Sequence, residues 1–261
     1  SATEFASRGA QVVMMCRSPE RGEEARAQIA EATGATVDLI LCDFSDMEQI
    51  RAAAQTFTSR HGQLDVLLNN AGAYFPRRLQ SAQGLEMTFA VNHLGYFLLT
   101  HELRDVLAAT DASRVVNVSS RAHMYGRLDC DDLQFERRPY RAMQVYGTSK
   151  LANILFTREL AARLEGTGTT ANCVHPGVIR SGFGKDEPGF MKWLVNIGAP
   201  FLQSPKAGAR GSIYLSTSPD VAAISGEYFI GKKVKRTTAA GRDLEAAKRL
   251  WGLSESLCGI G

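Results

Sequence analysis

Short apolar runs alternate along the chain with longer stretches in which apolar and polar positions mix at helical spacing. The runs are Val12–Cys16, Val37–Cys42, Val66–Leu68, Val115–Val118, Thr170–Val174 and Glu227–Ile230. Brief segments of this kind, bounded by turn formers, predict buried strands. The stretches between them predict helices over 19–32, Asp46–Arg60, Gly84–Ala108, Met143–Leu164 and Ala207–Ser216. Ser45 and Asp46 are the candidate N-caps of the second of these. Arg8-Gly9 reads as a helix stop ahead of the first strand. Residues 121–140 are polar and turn-rich, and 178–204 are irregular with apolar patches. Arg242–Leu257 reads as a helix or a partner-contacting tail.

Strand–helix alternation with continuous apolar strands predicts a parallel sheet covered on both faces. The expected architecture is a single doubly wound α/β domain, and 261 residues suit one such domain. A composition of 44% hydrophobic and 22% charged residues excludes a disordered chain or a collagen-like repeat. Thirty basic against 27 acidic residues leave a net charge of +3, too little to attract nucleic acid or anionic lipid at long range. The five cysteines show no CxxC spacing, which argues against a disulfide framework and a zinc site. Cys16, Cys42 and Cys173 lie in apolar runs and read as small buried hydrophobes, as expected in a reducing, cytoplasmic setting. The first residues lack the basic-then-apolar order of a signal peptide. Ser1–Ala6 has no initiator Met and reads as the middle of a helix, so residues upstream are expected, and a membrane anchor there stays open.

Ligands of open parallel sheets bind beyond the carboxyl ends of the strands. Here those ends carry Arg17, Asp43, Asn69/Asn70, Ser119/Ser120 and His175. The segment Tyr146-Gly147-Thr148-Ser149-Lys150 adds a Tyr and a Lys four apart, on one face of a helix. An ammonium about 4 Å from a phenolate stabilises it by roughly 4 kcal/mol at an effective dielectric of 20. That is up to about three pKa units, enough to bring a phenol towards acid–base work near neutral pH. Ser120, or with less support Ser119, offers a hydroxyl to a carbonyl oxygen; the bland reading of both is a turn or cap. Asn92 is a polar residue inside an apolar helix, where it either braces a kink or holds a water. His123 and His175 have no partner at metal spacing, so no metal is expected. Arg77-Arg78, Arg137-Arg138 and Lys232–Arg236 read as solvated loops or edges.

Taken together, Asp43, Asn69-Asn70-Ala71-Gly72, Asn92, Ser120, Tyr146/Lys150 and Pro176-Gly177 resemble the short-chain dehydrogenase/reductase family, in the family's order and over residues 9–235. The long Ser-to-Tyr spacing, the run Leu151–Leu160 and His175-Pro176-Gly177-Val178 resemble its retinol-dehydrogenase-like branch. The resemblance implies a Rossmann-type sheet and a nicotinamide cofactor. It implies that Tyr146 exchanges a proton with the substrate oxygen. Lys150 would lower the Tyr146 pKa and hold the nicotinamide ribose, and Ser120 would polarise the carbonyl. Asn92 would support a water-linked proton path behind Lys150. Asn70, Ala71 and Gly72 would line the adenosine ribose, and Asp43 with Phe44 would meet the adenine. Pro176, Gly177 and Ile179 would face the nicotinamide, and Ser181 its amide or phosphate side. Segment 178–204, with apolar Phe190–Leu202, would cover a hydrophobic carbonyl or alcohol; a membrane-surface contact and packed core are the other readings. Family members are often homo-oligomers.

An acidic residue ending the second strand of such a sheet favours NAD, whereas an Arg accommodates the 2′-phosphate of NADP. Here that strand ends Met14-Met15-Cys16-Arg17, which predicts NADP over NAD. One feature departs from the family. Its first strand and TGxxxGxG turn are not in residues 1–261, so the expectation is that they lie upstream and that the strands flanking that slot are left unpaired. Two other classes are weighed. A non-catalytic dinucleotide sensor would not need Ser120, Tyr146 and Lys150 together. An epimerase or dehydratase with the same Tyr/Lys pair would retain its cofactor and consume none.

Overall fold

The computed structural model describes residues 1–176 and 205–260. Gly177, Ile179, Ser181 and the expected covering segment 178–204 lie outside the described residues. Among the described residues there are seven strands: β1 Val12–Cys16, β2 Val37–Leu41, β3 Val66–Asn69, β4 Arg114–Val118, β5 Thr170–His175, β6 Tyr228–Ile230 and β7 Lys233–Val234. All pairings are parallel except the last, β6–β7, so the solvated edge at Lys232–Arg236 carries a short exposed edge strand.

The strands form two sheets among the described residues, β1-β2 and β3-β4-β5-β6-β7. No ladder joins them among the described residues. One expectation is corrected: β1 is half-buried along its whole length rather than buried, with β2 as its one strand partner among the described residues.

Helix α1 Ala2–Ser7 precedes β1, and α2 Pro19–Thr33 and α3 Met47–Arg60 connect the first three strands. Ser18 accepts from Arg21 N to cap α2, and Asp46 accepts from Glu48 N to cap α3. Gly9 stops α1 with φ +81°, a left-handed conformation that a glycine adopts without strain.

The single helix expected over Gly84–Ala108 is instead four pieces. These are α4 Met87–Phe89, a π segment Ala90–Leu94, α5 Gly95–Glu102 and α6 Arg104–Ala109. Glu86 precedes α4 as its cap, its carboxylate accepting from Thr88 N and Phe89 N, which moves the start inward. The π turn then widens the helix at Asn92, and Leu103 leaves helical geometry before α6. Helix α7, Ala142–Arg163, is the longest among the described residues, which also include the helices Pro205–Thr217 and Leu244–Leu257. The last of these settles Arg242–Leu257 as a helix rather than a tail.

Apolar clusters lie on both faces of the sheets. On one face Ile40, Leu67, Val115 and Ala171 of β2–β5 pack with Phe57, Phe97, Leu155 and Leu250 from α3, α5, α7 and the C-terminal helix. That cluster takes in residues of both sheets and joins them across the break. On the other face Val116, Val174 and Phe229 pack with Leu215 and Val221, and Val37 packs with Ile29 and Ala6. The architecture is doubly wound, as expected.

Phe97 is fully buried between Phe156 and the edge of Trp251, at ring-centroid distances of 5.6 and 4.9 Å. Phe97→Ala is expected to lower the unfolding free energy by about 3–5 kcal/mol, read as a lower urea midpoint at unchanged slope.

Candidate active site

The strand ends bring the expected residues to one edge. Arg17 follows β1, Asp43 and Phe44 follow β2, Asn70–Gly72 follow β3, Ser119 and Ser120 follow β4, and Pro176 follows β5. Helix α7 adds Tyr146 and Lys150. Its residues from Gly147 to Thr157 are buried without interruption, so it lies in the core rather than on it.

Two glycines fix the distance between the Ser and Tyr segments. Ser120 caps a 3-10 turn, Arg121–Tyr125, through its hydroxyl, which accepts from Ala122 N at 3.1 Å. That turn lies directly on the start of α7. A Cβ on Gly147 would stand 2.5 Å from Ala122 O and 2.8 Å from Gly126 N, closer than real side chains approach. Thr148 locks the contact: its hydroxyl accepts from Arg127 N at 3.1 Å and donates to Arg127 O at 3.2 Å. The Ser120 hydroxyl is then brought to the Tyr146 phenol, where it favours the ionised form. Ser119 takes a different part, donating to Lys150 O at 2.7 Å, so of the two serines Ser120 is the one facing the phenol.

Electrostatics at this pair differ from the sequence expectation. Burial pushes the Tyr146 phenol up to about 12, and the Ser120 hydrogen bond pulls it back in part. The Lys150 ammonium does not sit on the phenol oxygen. It donates to Val118 O at 3.2 Å, and lies 5.8 Å from the Tyr146 ring centroid and 5.5 Å from that of Tyr96. Burial brings Lys150 down to about 8. Loss of water therefore outweighs attraction for both groups, and the expected lowering of Tyr146 is not present in this arrangement.

The Asn92 side chain braces the bend. Its Oδ1 accepts from Ala73 N at 2.7 Å, and its Nδ2 donates to Ala73 O at 2.9 Å and Ser149 Oγ at 3.0 Å. It thereby pins the loop after β3 to α7. Tyr96 does the same one residue pair earlier, donating to Ala71 O at 2.6 Å. Between these anchors lies Gly72, where a Cβ would come within 3.5 Å of Lys150 Nζ and 3.7 Å of Asn92 Oδ1. A bare glycine thus leaves space in front of a buried ammonium whose acceptor among the described residues is one carbonyl. The remaining donors suit a pair of sugar hydroxyls, so the residues present fit a dinucleotide here.

On the β1–β2 side, Arg17 is largely exposed with its guanidinium 3.9 Å from the Asp43 carboxylate. Asp43 also accepts from Ser45 N at 2.9 Å and Ser45 Oγ at 2.7 Å, an Asx turn that fixes the strand end. The Phe44 ring turns toward the core and lies against Gly95. Asn70 is exposed at the strand end, Ala71 and Pro176 are half-buried. No group of metal-ligating side chains occurs among the described residues. Tyr96 and the Gly126/Gly147 pair are missed by sequence reasoning. A glycine directly after the Tyr, matched by one six residues after the Ser, was the signal available for the last.

A doubly wound α/β fold with Ser, Tyr and Lys gathered at its strand ends defines an oxidoreductase of the nicotinamide-dependent kind. The chain belongs to the short chain dehydrogenase family, whose model it matches over residues 1–189. It is 40% identical to retinol dehydrogenase 14 of Mus musculus over 274 residues, which cover all of this chain and 82% of that protein. It is 41% identical to retinol dehydrogenase 11 of Homo sapiens over 261 residues, covering all of this chain and 81% of that protein. Among solved structures, an uncharacterized protein from Mycobacterium paratuberculosis superposes with a TM-score of 0.80 at 30% identity, covering 99% of this chain and 88% of the other. A short chain dehydrogenase from Salmonella enterica shares the fold at a TM-score of 0.69 and 23% identity, covering 89% of each chain. The expected resemblance to the retinol-dehydrogenase-like branch therefore holds over the whole chain.

Gly147→Ala is expected to push the Ser120 turn off α7. It should cost about 1–3 kcal/mol in stability, as overpacking does, and lower kcat by more than that loss of folded protein explains. Turnover normalised to folded enzyme checks this.

Proposed function

We propose that this chain reduces a carbonyl, or oxidises the matching alcohol, on a hydrophobic substrate with NADP(H), using Tyr146 as the acid–base group. The observation that carries the reading is the Ser120–Tyr146 hydroxyl pair beside the buried Lys150 ammonium. The names of the curated relatives, retinol dehydrogenases, support a hydrophobic alcohol or aldehyde as the substrate class.

The bound nicotinamide supplies or removes the hydride at the carbonyl carbon. The protein handles the oxygen. Ser120 donates to it and polarises the carbonyl. Tyr146, held as a neutral phenol by burial, gives its proton to the oxygen as negative charge develops there. The phenolate so formed is stabilised by the Lys150 ammonium nearby. In the alcohol-oxidising direction the same proton returns to Tyr146. Asn92 holds the loop and helix that frame Lys150, and Gly72 with Asn70 and Ala71 leaves room for ribose.

Arg17, with no acid at the end of β1, supports NADP over NAD, with Asp43 as its neighbour. Asp43, with the backbone at Phe44, is assigned to the adenine side. Pro176, Gly177, Ile179 and Ser181 are assigned to the nicotinamide side by resemblance to the family. All five cysteines are free, which suits a reducing compartment. No helix among the described residues is long and apolar enough to cross a membrane.

Fluorescence titration is expected to give tighter binding of NADPH than of NADH, and Arg17→Asp to weaken NADPH by about tenfold or more while sparing NADH. Equal affinity for the two cofactors in the unaltered chain would remove the case for NADP. Tyr146→Phe is expected to lower turnover by about 10²–10⁴-fold with cofactor binding retained. Tight retention of cofactor without net NADPH consumption would instead mark the epimerase reading.

The sign of the pH dependence follows from Lys150. Its charge is present below about 8 and lost above it, whereas Tyr146 stays protonated throughout that range. Carbonyl reduction is therefore expected to fall as pH rises past about 8, measured as kcat/KM against pH.

A further inference from the structure

The C-terminal helix Leu244–Leu257 lies beyond the residues that the family model matches, yet it reaches the active site through a continuous buried chain of hydrogen bonds. The chain starts at Asn153, one turn after Lys150 on α7. Its Nδ2 donates to Asn92 O at 2.9 Å and to Val118 O at 3.3 Å. Val118 O is also the acceptor of the Lys150 ammonium. Both partners of the amide nitrogen are carbonyls, so the amide cannot be flipped. Its Oδ1 then faces His93 Nδ1 at 3.3 Å. A carbonyl oxygen cannot donate, so Nδ1 carries the proton.

His93 is fully buried, and burial pulls its pKa down to about 4, so the ring is neutral. Its Nε2 is consequently a bare acceptor. The group in front of it is Ser254 Oγ, at 3.0 Å, on the C-terminal helix. Ser254 has one hydroxyl hydrogen and a second possible acceptor, Leu250 O at 2.7 Å. That hydrogen reaches Leu250 O, its shorter partner, and is shared with the bare Nε2, which has no other donor.

We propose that Ser254, His93 and Asn153 are positioning residues for Lys150, and that the C-terminal helix sets the place of the ammonium through them. Asn153 shares Val118 O with Lys150 and holds Asn92 O at the widened π turn, so it fixes how far the ammonium is drawn toward the strand. The groups facing that ammonium are the Tyr96 ring on α5, the Tyr146 ring on α7, the Cys173 thiol on β5 and His93 on the π segment. None is an acid that could hold Lys150 in place of the shared carbonyl. The helix is itself clamped to the core by Trp251, stacked on Phe156 at 5.8 Å and edge-on to Phe97 at 4.9 Å.

The inference rests on the proposed reductase reading for its kinetic readout, and on the apo chain for a second readout that does not. Nitrogen-15 NMR of the unaltered chain without cofactor is expected to find His93 protonated at Nδ1 and bare at Nε2. A ring protonated at Nε2 would overturn the chain of bonds. In kinetics, Asn153→Leu, which keeps the bulk and removes the amide, is expected to lower kcat by about tenfold with KM changed less than about twofold. The alkaline limb of kcat/KM should be displaced by about half a pH unit or more. Ser254→Ala should displace it in the same direction by less, and Ser254→Thr, which keeps the hydroxyl, should restore it. Variants that lose stability but keep the limb where it was would show a packing role and overturn the proposal. If the unaltered chain reduces no carbonyl, the functional reading fails, and the His93 tautomer still decides the network.

Discussion

Burial of the Lys150 ammonium is the constraint that shapes the site. Taking a charge out of water costs several kcal/mol unless it gains partners. Lys150 gains one strand carbonyl and the faces of two tyrosines, within the range at which a ring attracts a cation. That is partial compensation, so its pKa falls to about 8 and the group is poised near physiological pH. The neighbouring elements follow from the same need. The π turn sets Asn92 to grip Ala73, Tyr96 grips Ala71, and Gly72 leaves the ammonium a face without side chain. A dinucleotide sugar placed there supplies hydroxyls that the protein withholds.

The same logic explains the Tyr146 phenol. In the chain alone it is desolvated and neutral, its hydroxyl engaged with Ser120. An acid held this way loses its proton only when negative charge appears beside it. On the proposed reading, the site couples proton delivery to the chemical step, since a solvated phenol and a solvated amine would titrate independently of what is bound.

Much of this was legible in the residues. The order of apolar runs gave the doubly wound sheet, and the polar residues closing those runs marked the edge where Asn70, Ser120 and Pro176 meet. Asn92 stood out as a polar position in an apolar helix. What the sequence could not express was three-dimensional compensation. The Tyr146/Lys150 spacing suggested a direct ammonium–phenol contact, because a helix face says which residues are neighbours and not which carbonyl lies between them. The break of the Gly84–Ala108 helix depended on Glu86 capping and on the π turn, neither of which alters hydrophobic periodicity. Ser120 was preferred over Ser119 in the sequence, but only the structure shows Ser119 spent on the Lys150 carbonyl and Ser120 facing the phenol.

The glycine contact between the Ser120 turn and α7 has an evolutionary consequence. Twenty-odd residues separate Ser120 from Tyr146 along the chain, but the two are spaced by Gly126 and Gly147, backbone against backbone. The intervening excursion 127–141 has anchors of its own: Gln134 O accepts from Arg78 Nε at 2.9 Å, and Tyr140 donates to Phe75 O at 3.1 Å. It thus forms a wall attached to a different part of the molecule, beside exposed Met124, Tyr125 and Met143. Such a wall can be lengthened, shortened or recoloured by mutation without moving the reacting hydroxyls. On the proposed reading, the Ser120–Tyr146 pair keeps its spacing as a fixed tool, while the surface that decides what is brought to it is free to drift.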